Sequence, residues 1–303
     1  MYDIITALDV CIDFLVAGVP EPRFGQVEQI VEDYQIELGG SATIFASQCA
    51  KLGLKTTGVG LVGQDYLGQI FADKLRQTGV DTKGLITSRS YKTGVGIALC
   101  NKGDRAILTY LGTINKVSAQ MLEQHLSSAK HLHIASYYLQ TKIRPHWPKI
   151  IKKAKDLGMT VSLDTNWDPA EKWDGLDEIL EHIDVFLPNE QEAKFFTGET
   201  RVEDALEKLK KKTPVVAIKL GKKGAMSSDS GKLLVKPAWP GDPVDTIGAG
   251  DNFDAGFVYA WLSGFPIEKC LEAGCYCGGK SVAGQGGFIA QPDLAALKKD
   301  AGL

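Results

Sequence analysis

The sequence predicts an α/β protein with a mostly parallel central sheet and a small β-sheet lid, and three observations carry that prediction. After Val117, short apolar runs at 131–135, 160–163, 185–187 and 215–220 alternate with amphipathic segments. This rhythm winds a parallel sheet, because every parallel pair needs a crossover, usually a helix. Two polar, extended stretches at about 12–38 and 91–112 break the rhythm and read as lid segments over the carboxyl edge of the sheet, where open α/β sheets bind ligands. Neither a repeat nor a low-complexity linker divides the chain, so 1–303 is expected to be one domain.

In chain order, residues 4–14 give the first strand, and 27–38 alternate as an extended segment before Gly39-Gly40 breaks the pattern. A helix starts at Ser41, with Ile44, Phe45, Cys49 and Leu52 on one face and Gly53 as its stop. Residues 56–62 read as a strand and 66–77 as a helix. The runs 95–100 and 106–110 form a hairpin across the turn Asn101-Lys102-Gly103-Asp104. Further on come a helix begun by Pro145 and ended by Gly158, a helix near 176–182 and one after Pro188. A lysine-rich amphipathic helix precedes Pro214, a small hairpin spans 225–235, and helices fill 249–262 and 267–282.

Composition narrows the class of function. The chain has 303 residues, 44% hydrophobic, 8% aromatic and 23% charged, which is globular and excludes disorder, collagen and coiled coil. A formal net charge of -3 gives no footprint for nucleic acid or an anionic membrane, and no apolar run approaches spanning length. The six cysteines are irregularly spaced, with only one close pair, Cys275-x-Cys277, and no histidine nearby. They read as buried thiols of a reducing, cytoplasmic protein rather than zinc ligands. His131 and His133 alternate on a buried strand and read as structural.

The most informative stretch is Asp245-Thr-Ile-Gly-Ala-Gly-Asp-Asn-Phe-Asp-Ala-Gly256. Gly248 and Gly250 allow close backbone approach, and the apolar segment that follows places the free N–H groups of a helix start against Gly248, Ala249 and Gly250. An anion sits well there. Asp251 is either the general base of a phosphoryl transfer or a helix-capping aspartate.

Two strings point elsewhere. Gly274-x4-Gly279-Lys280-Ser281 matches the P-loop pattern, but Ile267, Cys270 and Leu271 before it already have helical spacing instead of leading from a strand. Gly58-x-Gly60-x-x-Gly63, with Asp81 beyond it, mimics a dinucleotide fingerprint and keeps an NAD-dependent oxidoreductase as the alternative from another class. Its glycines, however, are threaded through a strand and not set in a turn before a helix.

Four elements in order resemble the ribokinase-like (PfkB) carbohydrate and nucleoside kinases: Gly39-Gly40-Ser41-Ala42 with Ala46 and Gly53, Pro188-Asn189-Glu190-x-Glu192, Lys219-Leu220-Gly221-x-x-Gly224, and the stretch from Asp245 to Gly256. The resemblance implies a ribokinase-like three-layer sandwich and an ATP-dependent sugar kinase, with a nucleoside kinase or a catalytically silent relative as alternatives. Asp251 would take the proton of the acceptor hydroxyl while Gly248, Ala249 and Gly250 hold the phosphate charge. Asp13, Gly39, Gly40, Thr43, Ser136 and Asn166 would contact the sugar. Asn189, Lys219, Gly221, Gly224 and Cys275 would face the nucleotide. Asn189 and Glu192 would order Mg2+ through water, unless they are only a capping pair. The carbonyls of Asp245, Ile247, Ser281, Gly284 and Gly286 are candidates for K+. Ile44 stands where the family usually has a sugar-contacting asparagine, and Asp168 about where sugar-acid kinases keep a basic residue, which disfavours a carboxylated sugar. Lid strands with apolar faces at Val95, Ile97 and Leu99 suggest a homodimer.

Overall fold

Strand β1 (Tyr2–Ala7) sets the layers: Ile5 and Ala7 enter one apolar cluster while Ile4 enters another, on the opposite face. The computed structural model describes residues 1–101 and 104–303. After β1 come β2 (Cys11–Ala17), β3 (Asp33–Gly39), α1 (Ser41–Lys51), β4 (Thr56–Gly63), α2 (Tyr66–Gln77), β5 (Asp81–Ser88), β6 (Gly94–Asn101) and β7 (Asp104–Tyr110). The second half runs α3 (Ala119–Glu123), β8 (Ala129–Ile134), α4 (Trp147–Asp156), β9 (Thr160–Leu163), α5 (Asp177–Leu180), β10 (Val185–Phe186), α6 (Glu190–Thr197) and α7 (Val202–Lys210). It ends with β11 (Val215–Lys219), β12 (Ala225–Asp229), β13 (Lys232–Lys236), α8 (Ala249–Leu262), α9 (Ile267–Ser281) and α10 (Leu294–Ala301).

Nine strands form the central sheet in the order β13-β12-β11-β10-β9-β8-β1-β4-β5, parallel except at the β11-β12-β13 edge. Helices α3 to α7 cover one face, where Trp147, Ile150 and Leu206 are fully buried. Helices α1, α8, α9 and α10 cover the other through Phe45, Phe257, Leu271 and Leu297. The lid is a separate four-stranded sheet, β3-β2-β6-β7. It is rooted in a third cluster, where Leu8, Val10 and Ile12 meet Ile44 and Phe71.

Several sequence expectations need correction. The run 4–14 is two strands: β1 belongs to the central sheet and β2 to the lid, with Leu8 to Val10 as the link. Residues 27–32 carry no regular structure, so the extended segment is only β3. Strand β5 and helix α10 were not expected; β5 is an edge strand whose mixed exposure hides any apolar alternation. The hairpin β12-β13 extends the central sheet. The turn expected at Asn101-Lys102-Gly103-Asp104 lies, at Lys102 and Gly103, outside the described residues. Val95, Ile97 and Leu99 lie half-exposed on β6, which is an inner strand of the lid and not an edge.

Both misleading strings resolve as packing. Gly274 and Gly278 lie inside α9, and a Cβ at Gly274 would stand 2.7 Å from the Phe253 ring of α8. Gly58, Gly60 and Gly63 belong to the fully buried β4, where a Cβ at Gly60 would stand 3.0 Å from Val10. They admit neighbouring side chains and form no loop for a pyrophosphate.

Candidate active site

The site forms where β1, β8 and β9 end side by side at the carboxyl edge of the sheet. Asp9, just past β1, accepts the N–H groups of Ser41 at 2.8 Å and Ala42 at 3.1 Å, so a carboxylate from another segment caps α1. Its Oδ2 also accepts the Ser136 hydroxyl. Burial pushes Asp9 up to about 7, although the Ser136 bond opposes this and the charge of Asp251 adds to it. Ser136 N–H in turn donates to Asn166 Oδ1 at 2.7 Å. Ser136 and Asn166 both have left-handed backbones, with φ of 50° and 55°. Such strain in non-glycine residues persists where surrounding bonds hold it, and it gathers at functional sites.

Across from this edge lies the start of α8. Gly248 is its N-cap with φ 73°, and Gly250 and Asp251 follow in the first turn, whose N–H groups lack partners inside the helix. Ala249 N–H makes a long bond of 3.4 Å to the Thr246 carbonyl. Asn252 locks the turn by donating its amide to the carbonyls of Gly248 at 2.8 Å and Gly287 at 2.9 Å. Gln291 donates to Asn252 Oδ1 and to the Ile44 carbonyl. Asp251 is buried, and burial together with the charge of Asp164 pushes it up to about 6, against the pull of Lys219, Ser41 and Asn166.

Carboxylate oxygens of Asp164, Asp251 and Asp254 lie within 4.8 Å of one another. Lys219 Nζ bridges two of these residues, 2.8 Å from Asp164 Oδ2 and 3.1 Å from each oxygen of Asp254. Burial alone would raise Asp164, but the lysine overrides it and holds Asp164 below the ordinary carboxylate range. Burial pushes Asp254 well above that range despite the lysine. The lysine therefore holds Asp164 in its charged form more firmly than Asp254.

On the other side of the α8 start lies a cavity of about 530 Å3 lined by Lys219, Gly221, Gly224, Trp239, Gly250 and Cys275, among others. Gly224 has φ 97°, and a Cβ there would stand 2.6 Å from Ala238 N, so only glycine fits the turn after β11. The Cys275 thiol, raised to about 12 by burial, is inert apolar wall.

The lid brings Asp13 over the edge of the sheet. Asp13 pairs with Glu37 of β3 and Gly96 of β6, and its carboxylate lies against Gly39 and Gly96, where any Cβ would collide with it. Burial raises Asp13, and Cys11 Sγ donates to it at 3.3 Å. From β7, Arg105 donates to Thr246 Oγ1 at 2.9 Å and stands 3.6 Å from Asp245 Oδ1, joining lid and anion loop.

Other expected residues fall differently. Thr43 is fully buried in α1, and among the described residues its hydroxyl has no hydrogen-bond partner. Asn189 and Glu192 form a capping box at α6: Asn189 Oδ1 accepts Glu192 N–H and Glu192 Oε2 accepts Asn189 N–H, both at 2.9 Å. Burial and the charge of Asp164 push Glu192 up to about 7. Asp168 accepts the N–H groups of Ala170, Lys172 and Trp173, so its carboxylate is turned into its own loop. Asp245 spends its oxygens on Ile247 N–H and Gly286 N–H, which draws together the segments holding Ile247, Ser281, Gly284 and Gly286. His131 and His133 bond Thr160 and Ser162 and are held neutral by burial, as expected of structural residues. Asp9, Asp164, Asp254, Asn252 and Arg105 were not expected in these roles.

Comparison with known proteins identifies the family. The family described as pfkB family carbohydrate kinase matches residues 5–294. An ATP-dependent ribose-1-phosphate kinase of Halopiger xanaduensis is 31% identical over 265 residues, covering 86% of this chain and 84% of that protein. A 5-dehydro-2-deoxygluconokinase of Geobacillus thermodenitrificans is 26% identical over 316 residues, covering 98% of this chain and 92% of that one. Among solved structures, an E. coli protein crystallised in complex with ATP and Mg2+ superimposes with a TM-score of 0.86 at 23% identity, over 99% of this chain and 98% of its own. The chain belongs to the pfkB family of carbohydrate kinases and has the ribokinase fold. It is therefore a sugar kinase and not a dehydrogenase. Among the described residues, no helix is long and apolar enough to cross a membrane.

Proposed function

We propose that this sugar kinase moves the γ-phosphoryl group of ATP to a hydroxyl of a monosaccharide, most simply a hydroxymethyl group, with Asp251 as general base. One observation carries the reading. Consecutive residues of a single helix turn face different ways: Gly250 lines the 530 Å3 cavity, and Asp251 faces Ser41 and Asn166, which lie outside it. A nucleotide in the cavity would present its terminal phosphate to the free N–H groups of that turn. A sugar held between Asp13, Gly39, Gly40 and the Ser136–Asn166 edge would present its hydroxyl to Asp251.

Asp251 accepts the hydroxyl proton as the oxygen attacks the γ-phosphorus, and the bond to the β–γ bridging oxygen breaks to release ADP. The N–H groups of Gly248, Ala249 and Gly250 hold the charge that develops on the transferred group. An aspartate raised to about 6 is ionised at neutral pH, yet is a stronger base than an ordinary carboxylate.

The donors near the site suit a hard cation. Four buried carboxyl groups (Asp164, Asp251, Asp254 and Glu192) gather near one lysine, and at neutral pH Asp164 and Asp251 alone already outweigh its charge, so an entering polyphosphate would need a counter-ion. Asn189 and Glu192 would hold a Mg2+ brought with the nucleotide through water, and that ion would supply the neutralisation. The carbonyls of Asp245, Ile247, Ser281, Gly284 and Gly286 are proposed to seat K+.

The relatives act on chemically different sugars, so the acceptor is an open set that includes nucleosides, with Asp168 disfavouring a carboxylated sugar. The test is ADP release from MgATP with a panel of pentoses, hexoses, sugar phosphates, sugar acids and nucleosides. Turnover with at least one sugar, at saturating acceptor well above the ATPase background, is the expected result. Turnover confined to nucleosides would replace sugar by nucleoside.

A further inference from the structure

Lys219 lies in the nucleotide-binding strand and turn of the family pattern and borders the cavity, where a lysine would ordinarily be expected to meet phosphate. Its geometry points another way. The ammonium has three protons, and it has three carboxylate oxygens within bonding reach: Asp164 Oδ2 at 2.8 Å and both oxygens of Asp254 at 3.1 Å. The side chain is only 11% exposed, against 3% and 1% for its partners.

We propose that Lys219 is a positioning residue that ties three chain segments together beneath the anion loop and so fixes Asp251, and that it is not a ligand of the nucleotide. The first segment is β11 itself. The second is the turn after β9, where Asp164 Oδ1 accepts Asn166 N–H at 3.1 Å and so shapes the strained residue that faces Asp251. The third is α8, where Asp254 stands one turn beyond Asp251 and therefore on the same side of the helix. Gly250 of the loop lies beside the ammonium, since a Cβ there would stand 3.5 Å from Nζ. Without the ammonium, Asp164 would be a buried charge with no counter-ion, and the cluster would have to open or take up protons.

This inference rests on Asp251 being the base, but its test does not depend on turnover alone. Three quantities are measured on Lys219→Met: the thermal unfolding midpoint of the unliganded protein, MgATP binding followed by fluorescence of Trp239 in the cavity wall, and kcat with the best acceptor. The expected result is a lowered midpoint, a MgATP dissociation constant within about twofold of wild type, and kcat reduced at least about tenfold. Lys219→Met/Asp164→Asn, which removes both charges together, should recover much of the midpoint while kcat stays low. If the single variant does not fold, the double variant carries the binding measurement. MgATP binding weakened tenfold or more with an unchanged midpoint would make Lys219 a phosphate ligand and overturn the proposal, as would no change in any of the three. Should Asp251→Asn keep full turnover while Lys219→Met behaves as expected in midpoint and binding, the base assignment fails and the role of the lysine in tying the segments stands.

Discussion

Ile44 packs directly on Gly248: a Cβ added to the glycine would stand 2.9 Å from Ile44 Cδ1, and one added to Gly287 would stand 2.7 Å from the same atom. The residue that replaces the usual sugar-contacting asparagine is thus 3% exposed and forms the floor under the anion loop. Its departure from the family pattern is a matter of packing as well as specificity.

Gly248→Ala tests that floor. The position has φ 73°, unfavourable for any Cβ, and the new methyl would also lie 2.8 Å from Gly287 Cα. We expect a loss of about 1–3 kcal/mol of stability from backbone strain and crowding, read by denaturant unfolding. Activity should fall more than stability alone explains, because the displaced turn carries the N–H groups proposed to hold the phosphate.

Ile44→Asn restores the usual family residue but should not restore a sugar contact. It replaces a buried apolar side chain by an amide among apolar neighbours, which costs about 2–4 kcal/mol. The expected outcome is a lower unfolding midpoint with no improvement in KM for ribose. A stable variant with a lowered ribose KM would show that the position faces the acceptor.

The pH dependence follows from Asp251. A base must be unprotonated, so kcat/KM should rise with pH and level off above an apparent pKa of about 6, displaced upward from the ordinary 3.8. A pH–rate profile with the acid limb centred near 4 would mean that Asp251 is not held among buried carboxylates during turnover.

Arg105 should act through the lid. Its bond to Thr246 and its approach to Asp245 join β7 to the anion loop at a partly exposed position, so Arg105→Ala should change the unfolding midpoint little. KM for the acceptor should rise several-fold, measured at saturating MgATP, as the closed lid loses a tether.

Much of this architecture was legible in the sequence because local signals coincided with global ones. Helices α2 and α8 were bounded as expected, since in each a polar or glycine start is followed by a regular apolar pattern. Gly39, Gly40 and Gly248 leave no room for a Cβ, whereas one at Gly250 would meet only ordinary contact with Lys219. Asp9 was hidden because it caps a helix 32 residues further along the chain, a relation that spacing does not reveal. Lys219, Asp164 and Asp254 come from three separate segments and meet only when β9, β11 and α8 are assembled. The Asn189–Glu192 pair shows the opposite limit: the same spacing serves a helix cap and an ion-ordering pair, and the structure displays the cap.

The central claim is that the first turn of α8 carries a base and not a cap. The side chain of Asp251 is turned toward Ser41 and Asn166, and the N-cap position itself is Gly248, so removing its charge should leave folding intact. The decisive measurement is kcat of Asp251→Asn with the best sugar acceptor, alongside its unfolding midpoint. A loss of about a hundredfold or more with a wild-type midpoint is predicted. Turnover within a few-fold of wild type would contradict the account.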